Sequence, residues 1–105
     1  MSSTNTTEGV KHDQGKNPLE LLPFDALEEI GKVLALDRDR YLPRNWAGGV
    51  GGARVFGELL CHLFAWGRGQ ERDTTTGLSH LAHAGCLTLF LLACTLRNVG
   101  KDDRP

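Results

Sequence analysis

The sequence lacks an excess of positive charge: 12 Lys and Arg face 13 Asp and Glu, a formal net charge of −1 over 105 residues. A protein that coats nucleic acid needs a basic excess to displace counterions, so nucleic acid is not an expected partner. A small anionic ligand needs only a few well-placed cations and stays open. Runs of membrane length are also missing. The uncharged stretch from Ala84 to Leu96 is too short to span a bilayer, so no membrane partner is expected. Residues 1–10 are rich in Ser, Thr and Asn without an apolar h-region, and do not read as a signal peptide. Cysteine is scarce and odd in number, with Cys61, Cys86 and Cys94 in apolar stretches and no C-x-x-C pair. That spacing rules out a standard zinc site, and free buried thiols in a reducing cytoplasm are the simplest account. Gly48 to Gly52 lacks a following Lys-Ser or Lys-Thr and a preceding strand, so phosphate-loop and dinucleotide fingerprints both fail. A hinge between helices is the expected role.

What is present suits one globular domain, with 40% hydrophobic and 24% charged residues. Residues 1–10 read as a flexible tail, 11–98 as a single helical domain, and 99–105 as a polar tail. The Leu21-Leu22 pair is expected to tuck under the domain. A first helix is expected after Pro23, with Phe24, Leu27, Gly31 and Leu34 as its stripe and Ile30 and Val33 widening it. Asp37 to Tyr41 can extend it as a solvated face until Pro43. A second helix spans about Arg54 to Trp66 and is stopped by Gly67 and Gly69. After a polar connector, Thr76 or Ser79 can cap a third helix that runs to about Arg97. Its leucines lie nearly all round, which places it at the centre of the domain or against another subunit. No alternating strand pattern or internal repeat appears. The fold class is all-α, a small bundle of three to four main helices, expected to assemble as an oligomer.

Histidine is the unusual feature. His62 shares a helical face with Leu59, Leu63 and Trp66, while His80 and His83 share one with Ala84 and Leu87. Each ring can be a satisfied core residue bonded to a backbone carbonyl. Alternatively, the three can converge with Glu28 or Glu29 on a divalent ion, a donor set that suits Zn²⁺, Mn²⁺ or Fe²⁺ better than Mg²⁺. Adjacent carboxylates such as Glu28-Glu29 usually form a solvated, dipole-complementing first turn. Glu58, one turn before His62, is a further acid within reach. Arg44-Asn45-Trp46 combines a cation, an amide and a flat indole, the parts needed to hold a phosphate and stack or bond a base. It can equally be a core anchor beside a solvated arginine. Lys11, Asp13 and Lys16 add charge in a glycine-containing loop.

Taken in order, these pieces resemble a known family. Lys11-x-Asp13-x-Gly15-Lys16, Leu21-Leu22-Pro23 and Ala26-Leu27-Glu28-Glu29-Ile30 come first. Arg44-Asn45-Trp46, His62-Leu63-x-Ala65-Trp66 and Gly69 follow, then Asp73 and Gly77-Leu78-Ser79-His80-Leu81-Ala82-His83-Ala84. The series is similar to the N-terminal domain family of phage dATP/dGTP diphosphohydrolases over about residues 11–96. A more distant likeness is to MazG-type all-α nucleotide pyrophosphohydrolases. There, the acidic signature is only half matched, since Lys32 follows Glu28-Glu29 and Cys61 follows Glu58.

The resemblance implies metal-dependent hydrolysis of purine deoxynucleoside triphosphates by a phage-encoded protein in the host cytoplasm, serving nucleotide-pool control. Glu28 and Glu29 would then be catalytic, and Glu29, His62, His80 and His83 would hold Mg²⁺ or Mn²⁺. Lys11, Asp13, Lys16, Arg44, Asn45 and Trp46 would bind substrate. The alternative is a non-catalytic phage protein that binds or sequesters a nucleotide or cyclic dinucleotide. A homo-oligomer with a purine nucleotide as partner is expected in either case.

Overall fold

A computed structural model describes residues 16–42 and 51–105. Among these residues the chain is all-helical. Helix α1 spans Phe24–Leu36, α2 spans Gly52–Gly67 and α3 spans His80–Arg97, with 3-10 turns at Leu19–Leu21 and Arg38–Tyr41. No strand occurs among the described residues; pairing is limited to isolated bridges, Gly51 with Lys101 and Arg72 with Ser79.

Helix α3 is the central element and packs against both α1 and α2. Val55 of α2 meets Leu87 and Phe90 of α3 in one core cluster, and Val33 of α1 meets Ala82 and Cys86 in the other. Tyr41 packs against both clusters, its ring edge-on to Phe90 at a centroid distance of 5.4 Å. That contact explains why Asp37 to Tyr41 does not prolong α1. The chain breaks at Asp37, where φ is −130°, and the following 3-10 turn carries Tyr41 inward.

The small residues of α3 set how closely its neighbours approach. Gly85 stands under Ile30, and a Cβ there would lie 2.8 Å from Ile30 Cδ1. The inward stripe of α1 is therefore Ile30 and Val33 rather than the expected Phe24, Gly31 and Leu34; Phe24 and Leu34 are exposed. Leu21 and Leu22 do not tuck under the domain either. Leu21 is 76% exposed on the 3-10 turn that carries it, which has no buried residue.

The helix ends are chemically specified. Ser79 Oγ accepts from the backbone N–H of Leu81 and of Ala82, so Ser79, and not Thr76, caps α3. At the other end Asn98 takes a left-handed φ of 53°, and Val99 N–H bonds back to Cys94 carbonyl at 3.0 Å. This is a Schellman closure with asparagine in the glycine position. The first turn of α2 has no side-chain cap of its own, but Ala53 N–H donates to Asp103 Oδ1 at 2.9 Å and Gly52 N–H to Lys101 carbonyl at 2.9 Å. The segment after α3 thus returns to the start of α2.

Of the cysteines, Cys86 is buried and Cys94 half-buried, whereas Cys61 is exposed on the outer face of α2, contrary to the expectation that all three are inside. By length and composition alone, α3 is long and apolar enough to cross a membrane, with a mean hydropathy of 1.3 over 18 residues. The run Ala84 to Leu96 is shorter because it stops at His83, whereas the helix continues back through Ala82 and Leu81 to His80 and reaches 18 residues. In the folded chain one face of α3 carries the core, and Leu81, Leu89, Leu92 and Leu96 remain exposed on the others.

Candidate functional site

His62, His80 and His83 meet where the C-terminal half of α2 lies beside the start of α3. Val55 contacts Phe90 at one end of this pair and His62 contacts His80 at the other, so the helices run antiparallel. His62 Nδ1 is 2.9 Å from His80 Nδ1. The His62 and His83 rings stack face to face, 4.5 Å apart with planes 2° from parallel.

The connector between the helices completes the site. Helix α2 closes in a Schellman motif at Gly69, whose φ is +96°, with Gln70 N–H bonded to Ala65 carbonyl and Gly69 N–H to Trp66 carbonyl. This reversal aims Gln70 back at the bundle, where its Oε1 accepts from His80 Nε2 at 2.7 Å. The chain then forms a tight loop at Asp73, whose Oδ1 accepts from the backbone N–H of Thr75 at 2.8 Å and of Thr76 at 2.9 Å. Gly77, with φ of +74°, lets the loop return so that Asp73 N–H reaches Leu78 carbonyl and His80 N–H reaches Glu71 carbonyl. Thr76 Oγ1 accepts from Leu78 N–H and shares a hydrogen bond with His83 Nε2 at 2.8 Å.

Electrostatics follow this geometry. Partial burial pushes the His62 imidazole below its usual range, reinforced by the neighbouring His83 and His80 rings. Burial also lowers His83, against the opposing pull of Asp73. Asp73 is held below the usual carboxylate range chiefly by the Thr76 amide, then by Thr75 and the nearby imidazoles. Neutral imidazoles beside an ionised carboxylate form the donor set a cation needs. His62, Asp73 and His80 each offer a ligand atom, all within 4.8 Å of one another, so the group can hold a metal ion.

Other candidate residues lie elsewhere. Glu28 is exposed on α1, and Glu29 accepts from Lys32 Nζ at 2.6 Å; neither belongs to the histidine group. Glu58 pairs with Arg40 at 2.9 Å, tying α2 to the turn after α1, and from there opposes the lowering of His62 without joining the ligand group. Lys16 is exposed. Lys11, Asp13, Arg44, Asn45 and Trp46 lie outside the described residues. Asp73, Gln70 and Thr76 were not among the site residues expected from sequence. One signal was available: Asp73-Thr-Thr-Thr-Gly77 is an aspartate followed by a glycine four residues on, a loop pattern that precedes the histidine helix. At the opposite end of the α2–α3 pair, a cavity of about 440 Å³ is walled by Val55, Phe56, Phe90 and Cys94 and contains no histidine.

Comparison with known proteins agrees with the sequence resemblance. Residues 6–104 match the family described as "dATP/dGTP diphosphohydrolase, N-terminal". A protein of Salmonella phage PMBT28, named dATP/dGTP diphosphohydrolase, is 33% identical over 96 residues. The match covers 91% of this chain and 33% of the relative, so the chain spans about a third of that protein's length. No solved structure matches. With nearly its whole length matched, the chain belongs to the family of dATP/dGTP diphosphohydrolase N-terminal domains.

Proposed function

We propose that this domain serves the metal-dependent hydrolysis of purine deoxynucleoside triphosphates, dATP and dGTP, in phage nucleotide-pool control within the host cytoplasm. The observation that carries this reading is the convergence of His62, His80, His83 and Asp73 at one end of the α2–α3 pair, in a chain of this family. Of the two expected ions, Mg²⁺ and Mn²⁺, a donor set of imidazoles and a carboxylate suits Mn²⁺ better, and such an ion would neutralise charge developing on the phosphate oxygens. Lys11, Lys16 and Arg44 supply cations for the phosphates, and Asn45 and Trp46 supply an amide and an indole for the base. The leucines exposed on α3, Leu81, Leu89, Leu92 and Leu96, support self-association as a homo-oligomer. The test is chromatography of purified chain incubated with dATP or dGTP and either ion. Release of the monophosphate and pyrophosphate is expected, and no turnover with any divalent metal defeats the reading.

A second reading is a module that binds a nucleotide or cyclic dinucleotide without hydrolysing it. It is favoured by a specific observation: Glu29 and Glu58 are each engaged in an ion pair, and the carboxylate grouped at ligand distance with His62 and His80 is Asp73. Calorimetry showing saturable nucleotide binding with no product selects this reading over the first.

A further inference from the structure

We propose that His62, Asp73 and His80 form a two-imidazole, one-carboxylate site for a transition ion of the Zn²⁺, Mn²⁺ or Fe²⁺ class. Gln70 is the positioning residue that presents His80 Nδ1 to that ion. The ion's purpose rests on the hydrolytic reading above, but its binding does not, and the two have separate readouts.

The argument begins with Gln70. Its Oε1 can only accept, so the 2.7 Å contact places a proton on His80 Nε2. In the neutral ring, Nδ1 is then a bare lone pair, and it points at His62 Nδ1, 2.9 Å away. Metal-binding histidines characteristically donate their other N–H to an oxygen that fixes tautomer and orientation, and Gln70 is placed to do that here. His80 is 4% exposed, so the ring cannot swing to another partner without unpacking the start of α3.

The separation of the two nitrogens also fits. Two nitrogens each ~2.1 Å from one ion lie about 3.0–3.4 Å apart, depending on the coordination angle. The observed 2.9 Å contact therefore needs only a slight opening for a cation to replace the shared proton. His62 would carry that proton on Nε2 instead, with no net change in protonation. Asp73 Oδ1 is used by the Thr75 and Thr76 amides, so the other carboxylate oxygen is the one left to offer. His83 stacks on His62 and is tied to Thr76, which makes it a wall of the site. Two imidazoles and one carboxylate select against Mg²⁺, which demands oxygen ligands and holds its water tightly.

The test is calorimetric titration of chelator-treated full chain with Zn²⁺, Mn²⁺ and Mg²⁺, together with Co²⁺ absorption spectra. One Zn²⁺ per chain is expected, not displaced by a large excess of Mg²⁺. Binding should be lost in His62→Ala and Asp73→Asn, weakened about 10–100-fold in Gln70→Leu, and restored in Gln70→Glu. Because His80→Ala risks unfolding, the His80 readout uses the unaltered chain. Zn²⁺ should shift the imidazole ¹⁵N resonance of His80 Nδ1, while Nε2 keeps its proton. In Gln70→Leu the same spectrum should show mixed His80 tautomers. The proposal is overturned if Zn²⁺ fails to bind, if His62→Ala binds it unchanged, if Mg²⁺ displaces it at equal concentration, or if His80 Nε2 carries the shift. Metal binding without nucleotide turnover would retain this site and defeat the hydrolytic reading.

Discussion

His62 and His80 are 18 positions apart in sequence, yet their Nδ1 atoms sit 2.9 Å from each other, at hydrogen-bond distance. Because Gln70 Oε1 accepts from His80 Nε2–H, the one proton of the neutral His80 ring, the neutral pair has a single arrangement: His62 Nδ1–H donates and His80 Nδ1 accepts. A buried imidazole is thus fully satisfied by side chains from α2 and from the connector, and it locks three segments together.

Removing that ring should be costly. His80→Ala leaves Gln70 Oε1 and His62 Nδ1 without their partner and empties a buried position at the start of α3, so a loss of about 2–3 kcal/mol is expected. Denaturant unfolding monitored by circular dichroism measures it. A loss under about 0.5 kcal/mol would show that the contact between the rings is not part of the stabilising core.

The stacked pair makes the metal-free fold sensitive to acid. His62 and His83 both titrate below their ordinary value of 6.5 in the folded chain. Below pH 6.5 the unfolded chain therefore binds more protons than the folded one. Stability present above that pH is lost as pH falls through the folded values. Thermal unfolding in the presence of a chelator should show a lower Tm at pH 5 than at pH 7.5. The difference should shrink in a His62→Phe, His83→Phe double variant. A Tm equal at both pH values would contradict the lowered titration.

Ser79 joins the helix start to the site. Ser79→Ala removes the oxygen that accepts from Leu81 and Ala82, at an expected cost of about 1 kcal/mol, whereas Ser79→Asp keeps a cap and should cost little. Equal unfolding midpoints for Ser79→Ala and the unaltered chain would show that the capping bonds do not hold the first turn.

Gly85 and Ile30 should be coupled. Gly85→Ala gains about 1 kcal/mol of helix propensity but sets a Cβ 2.8 Å from Ile30 Cδ1, so alone it should be near neutral or destabilising. In an Ile30→Val background, which lacks that terminal methyl, the same substitution should stabilise. A double-mutant cycle with no coupling energy would mean that α1 is not seated on α3 at this point.

Much of the architecture is legible along the chain. Spacing of apolar residues marks α2 and α3 to within a few residues, Gly69 marks where α2 reverses, and the ordered motifs identify the family. These features are local: helix periodicity and turn chemistry need only neighbouring residues to act. The histidines too could be picked out as unusual, since imidazoles on apolar helical faces demand either a partner or an ion.

The choice of acid was not local. The family resemblance points to Glu28 and Glu29, but Glu29 accepts from Lys32 within its own helix, and the carboxylate at ligand distance from His62 and His80 is Asp73. Asp73 arrives there only because Gly69 and Gly77 fold the connector back across the start of α3. Which face of α1 turns inward was likewise decided by contact, through the space that Gly85 leaves for Ile30. Composition and periodicity determined that the chain makes helices with histidines on two of them. The three-dimensional packing decided which oxygen and which nitrogens face one another, because that depends on where a loop closes rather than on any repeat along the sequence.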